Sequence, residues 1–96
     1  MHAVIRTYAG SGAKKLFEEL ENHKAAIEKL IRPVKGLVSY ALVHTADGGI
    51  SLTICQDKAG IDESVRLAAD FIRQNVPATG ASPPTIKEGT VVVQIK

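Results

Sequence analysis

Two stretches of helical hydrophobic period, set between runs rich in β-branched residues, constrain this chain more than any other feature. From Ala13 the apolar residues fall at Ala13, Leu16, Phe17, Leu20, Ile27, Leu30 and Ile31, with Lys14, Lys15, Glu18, Glu21, Glu28 and Lys29 opposite them. Spacings of three and four put the first set on one face of a helix, so the pattern predicts about five turns over 13–31. Pro33 and Gly36 stop it, because proline restricts the residue before it and glycine suits a helix exit. Ile61, Val65, Ala68, Ala69, Ile72 and Val76 repeat the pattern, with Asp62 and Glu63 near the positive end of a second helix.

The intervening runs read as strands. Residues 2–8 mix Val4, Ile5, Thr7 and Tyr8 before the turn residues Gly10, Ser11 and Gly12. Residues 37–45 and 50–55 are separated by Ala46, Asp47, Gly48 and Gly49, which is a β-hairpin. Residues 90–95, with three consecutive valines, give the last strand. The connection at 77–89 is longer than the usual four to six residues and holds three prolines and two glycines. It reads as a rigid surface connection, with Lys87, Glu88 and Gly89 as a bulge or bend, and alternatively as a lid over a pocket.

Helices crossing between strands that flank a hairpin define an α+β, ferredoxin-like β-α-β-β-α-β fold, with both helices on one face of a four-stranded antiparallel sheet. Residues 1–96 form a single domain of this kind. Ile50, Leu52, Ile54, Val91, Val93 and Ile95 are the more apolar strand set and are expected beneath the helices. The bare face then carries Val4, Arg6, Tyr8, Ser51, Thr53, Cys55, Val92 and Gln94, with either Tyr40 and Leu42 or Ala41 and Val43. Such a patch is large for a monomer, so a homodimer through the open sheet face is expected.

Composition excludes little. Twelve basic and ten acidic residues leave a formal charge of +2, too weak to imply nucleic acid or an anionic membrane as a partner. Cys55 is the only cysteine, so no internal disulfide is possible and a reducing, cytoplasmic setting is the expectation. No apolar run approaches the roughly 20 residues that span a bilayer, and residues 1–8 lack a signal-peptide core.

A helix ending at Ile31, a turn at 33–36, a strand from Leu37 to Tyr40, the Asp47 hairpin, and a third strand running into Asp57 before an amphipathic helix occur here in that order. This order and spacing resemble the dimeric α/β-barrel superfamily, in particular the small antibiotic-biosynthesis monooxygenase-like proteins. The resemblance implies two ferredoxin-like sheets packed face to face, each subunit holding a small-molecule pocket between sheet and helices. Monooxygenase members often carry a tryptophan near the end of the third strand, where this chain has Cys55 and no tryptophan anywhere. Haem-degrading relatives depend on an asparagine, a histidine and a tryptophan that do not come together in this sequence. A small organic ligand is therefore expected, with no cofactor. The alternatives are a cofactor-free monooxygenase-like enzyme and a non-catalytic regulatory or assembly module.

The candidate ligand-binding residues are Arg6, Tyr8, Tyr40, His44, Thr53 and Cys55, the polar or reactive side chains that the first three strands offer to a cavity. A tyrosine and a histidine can steer protons on an acidic phenol or enol while Arg6 holds the resulting anion. The plainer reading ties Arg6 and the tyrosines to the dimer and leaves His44 at a hairpin end. Cys55 is either a nucleophile near a helix N-terminus or a small packed residue, the commoner role. His2, His23, His44 and Cys55 show no metal-ligand spacing. Residues 10–15 lack the spacing of a phosphate loop and read as a turn with a serine cap. RNA-recognition modules share this topology but stack bases on aromatics of strands one and three; here strand three has none. An acylphosphatase-like reading fails for want of a phosphate-cradling loop after Tyr8.

Overall fold

In a computed structural model describing residues 1–76 and 79–95, the chain runs β1 (His2–Ala9), α1 (Ala13–Glu21), α2 (Lys24–Ile31), β2 (Leu37–Thr45), β3 (Gly48–Cys55), α3 (Lys58–Asn75) and β4 (Thr85–Thr90). The strands lie in the order β2-β3-β1-β4 and every neighbouring pair is antiparallel. This is the ferredoxin-like arrangement, with the first helix divided in two.

The division has a local cause. Helical spacing after Leu20 asks for an apolar residue at 23 or 24, and the chain supplies His23 and Lys24. The backbone N–H groups of Asn22 and His23 bond instead to the carbonyls of Glu19 and Leu20, a tighter turn that ends α1. The His23 ring, 2.9 Å from the Glu19 carbonyl through Nδ1, packs edge-on against Phe71 of α3 with centroids 5.7 Å apart. Gly12, at φ 82°, occupies the N-cap of α1, which no side chain caps. The expected serine cap is therefore absent. A Cβ at Gly12 would lie 2.4 Å from the Thr79 carbonyl oxygen, so glycine lets residues 79–81 close over the start of α1.

The sheet faces are the reverse of the expected ones. Val4, Arg6, Tyr8, Ser51, Thr53 and Cys55 are buried and lie on the face toward the helices, where Tyr40 and Leu42 join them. Ile5, Ile50, Leu52, Ala41 and Val43 occupy the open face, with Ile5 41% and Val43 48% exposed. The physical reason is volume. Leu16, Phe17, Leu20, Ile27, Ile31 and Ile61 come down from the helices buried, and small strand residues leave room for that bulk.

The last strand also differs. Thr85 to Thr90 pair with Thr7 to His2 of β1, so Lys87, Glu88 and Gly89 are ladder residues and not a bend. Because Thr90 already faces His2, residues 91–95 run beyond the end of β1. Val91 makes one further backbone bond, donating to the Met1 carbonyl at 3.0 Å. Val92, Val93 and Ile95 are left 91%, 76% and 90% exposed. They are not beneath the helices. Of the connection at 77–89, residues 77 and 78 lie outside the described residues; 79–84 face α3 across an open space and pack Ala81 against the core.

Candidate functional site

The antiparallel register sets the helix-facing residues in rows across the sheet. One row holds Tyr8, Gly49 and His44; the next Arg6, Ser51 and Leu42; then Val4, Thr53 and Tyr40; then His2, Cys55 and Leu37. Arg6 thus sits in mid-sheet beneath the helices, only 4% exposed. Its Nη2 donates to Ser51 Oγ at 2.8 Å. Its Nε is sealed from solvent without a hydrogen-bond partner, and no carboxylate pairs with the guanidinium among the described residues.

Magnitudes make this arrangement informative. An arginine stays charged throughout the physiological range, and burying an unpaired charge costs several kcal/mol. One hydrogen bond to a charged group contributes roughly 1.5–3 kcal/mol, so Ser51 alone does not offset the burial.

Tyr8 and Tyr40 meet Arg6 around a small void of about 20 Å³, closed above by Leu20, Ile27, Ile31, Ala68, Phe71 and Ile72. That room suits a single water molecule. Burial pushes the Tyr8 phenol up from its ordinary range, partly countered by the Arg6 charge and reinforced slightly by Tyr40. Tyr8 is therefore a protonated hydrogen-bond donor at neutral pH, and not a base. Its ring meets Phe17 edge-on at 5.5 Å.

On either side of the void the helices leave the sheet uncovered. A space of about 470 Å³ opens between α1, α2 and β2, sharing Leu20, Ile27, Ile31, Tyr40 and Leu42 with the void. A second, of about 580 Å³, opens between α3, residues 79–84 and the edge of the sheet, sharing Arg6, Tyr8 and Ile72. Both volumes lie in the range of small-molecule sites.

The other candidate residues stand apart from this cluster. His44 is at the hairpin end of β2, bonded through Nδ1 to the Glu21 carboxylate and tilted over Phe17 at 6.0 Å. The His44 bond holds the Glu21 carboxyl below its usual range. Neither His23 nor His44 lines the void or the two spaces, and no grouping of three His, Cys, Asp or Glu suits a metal ion among the described residues. Cys55 is fully buried with Val4, Val34 and Ile61. Burial, and then the charges of Asp57 and Glu63, raise its thiol above the ordinary range, which disfavours the nucleophilic thiolate. Thr53 is buried with its hydroxyl unpartnered. Ser51 and Arg73, absent from the candidates, both line the site. Ser51 carries a signal in the sequence, since it shares the alternation of Thr53 and Cys55; an exposed helical arginine carries no comparable signal.

A four-stranded antiparallel sheet roofed by helices on one face defines the class: a ferredoxin-like α+β fold. More particularly, the same fold occurs among solved structures of known proteins. It superposes on the haem-degrader MhuD from Mycobacterium tuberculosis, solved with two haems in its active site, at a TM-score of 0.69 and 15% identity over all of both chains. A protein of unknown function from Nitrosomonas europaea gives 0.72 at 16% identity, covering 99% of this chain and 91% of that one. A monooxygenase of Streptomyces coelicolor, solved with nanaomycin D, gives 0.65 at 17% identity, covering 99% and 89%. At these identities the likeness establishes the fold. No protein-family model and no curated protein matches the sequence.

Proposed function

We propose that this chain is the subunit of a homodimer that binds a small, largely apolar organic molecule between its sheet and its helices. The observation that carries the reading is the incomplete helical roof: two spaces of about 470 and 580 Å³ flank, and share walls with, a void where Arg6, Tyr8 and Tyr40 converge. The haem and nanaomycin D bound by proteins of the same fold support it. Dimerisation is supported by the apolar open face around Ile5, Leu52 and Val43 and by the exposed apolar side chains of Val92, Val93 and Ile95.

The test is fluorescence titration with N-phenyl-1-naphthylamine, a neutral apolar probe. Saturable binding at one probe per subunit is expected, weakened about tenfold by Ala69→Trp, which fills the wider space, or by Ser39→Trp, which fills the narrower. Binding unaffected by both substitutions would place the probe elsewhere and defeat the reading. One observation favours a second reading, a cofactor-free oxygenase-like enzyme: Tyr8 and Tyr40 share the void with Arg6, so phenol donors and a guanidinium converge on one point. Oxygen uptake in the presence of a bound naphthol separates catalysis from binding alone.

A further inference from the structure

The two spaces differ in charge. The narrower sets Glu21 and Glu28 against Lys24 and Arg32 and is balanced. The wider carries Arg6 and Arg73 and, among the described residues, no carboxylate. Arg73 lies at its rim and is already bonded to Asp70 at 2.6 Å, so the attraction for an anion comes from Arg6. Around Arg6 the walls are mainly apolar, with Leu16, Val65, Ile72, Val76 and Ile86, beside the polar Thr79 and Ser82. A guanidinium at the floor of an apolar chamber, with Nε lacking an acceptor, is complementary to a molecule with a hydrophobic body and one anionic end.

We infer that the wider space takes an apolar organic acid whose carboxylate pairs with the Arg6 guanidinium while its hydrocarbon body lies against α3 and residues 79–84. This rests on the small-molecule reading and adds the chemical class of the ligand. The buried arginine then acquires the countercharge that its own chain withholds. Tyr8, a protonated phenol on the same wall, offers a second donor to the carboxylate. A neutral ligand of the same shape would leave Arg6 as it is.

The experiment compares 2-naphthoate with 2-naphthamide, which share a shape and differ in charge, by calorimetric titration of the wild type and of Arg6→Met. Naphthoate is expected to bind the wild type about tenfold or more tightly than the amide. Arg6→Met should abolish that ratio by weakening naphthoate binding about tenfold or more. In the wild type the side-chain Nε–Hε resonance of Arg6 should move with naphthoate and stay with naphthamide, a readout that holds even if Arg6→Met does not fold. Equal affinities in the wild type, as when a water satisfies Nε, would overturn the anion assignment and leave the small-molecule reading standing. So would a preference that survives Arg6→Met, or a still Arg6 resonance. Failure of both probes to bind would sink both readings together.

Discussion

Thr53, 1% exposed, holds a buried hydroxyl that is unpartnered among the described residues, in the row next to Arg6. Unlike a guanidinium, a hydroxyl has a nearly isosteric apolar substitute. Leaving such a group unsatisfied costs roughly 1–3 kcal/mol, whereas a methyl in its place costs nothing in hydrogen bonding. Thr53→Val is therefore expected to raise stability by about 1 kcal/mol, read as a higher denaturant midpoint at an unchanged slope. A loss of similar size would mean that Oγ1 has a partner. At this scale the sequence shows that Arg6, Tyr8, Thr53 and Cys55 share faces, because alternation alone decides it. It does not show which face is roofed. Ranking strand residues by hydropathy assigns the bulkier set to the core and overlooks helices that bring the bulk themselves, as Phe17 and Ile61 do here.

Gly49 shows how closely one helix depends on one strand position. A Cβ there would lie 2.1 to 2.4 Å from three ring atoms of Phe17, itself 1% exposed and unable to swing into solvent. Overpacking of this kind costs about 1–3 kcal/mol, more than the roughly 0.4–1 kcal/mol that alanine gains by restricting the unfolded chain. Gly49→Ala should therefore lower the melting temperature, and Phe17→Leu added to it should restore part of the loss, the two changes being non-additive. Simple additivity would mean that the ring and strand do not meet. Elements with a local signature are legible: β2 spans the same residues as its β-branched run, and α1 and α2 share one apolar face, though the gap from Leu20 to Ile27 already marks the break between them. The fourth strand is not, because propensity favours the valines at 91–93 while pairing is decided by where β1 begins. Thr85 to Thr90 win by having a partner, not by composition.

Two surfaces of the whole molecule lack partners for the same reason. The open sheet face sets Ile5 beside Leu52 and, two strands over, Ala41 and Val43. The segment at 91–95 carries strand chemistry past the end of its own sheet, with Val92 and Ile95 at 91% and 90% exposure. A second copy would cover the face with an identical one, the self-complementary contact of a two-fold dimer. Ile5→Asp probes this without disturbing the subunit, since Ile5 is 41% exposed and Lys87 lies directly across the ladder to receive the new charge. Within a dimer interface the same carboxylate would be buried, at a cost of about 3 kcal/mol or more, roughly a hundredfold in dissociation constant. Sedimentation should show the wild type as a dimer and Ile5→Asp as a folded monomer at the same micromolar concentration. A wild type that sediments as one subunit at high concentration would leave the open face wet, and the proposed assembly would be wrong.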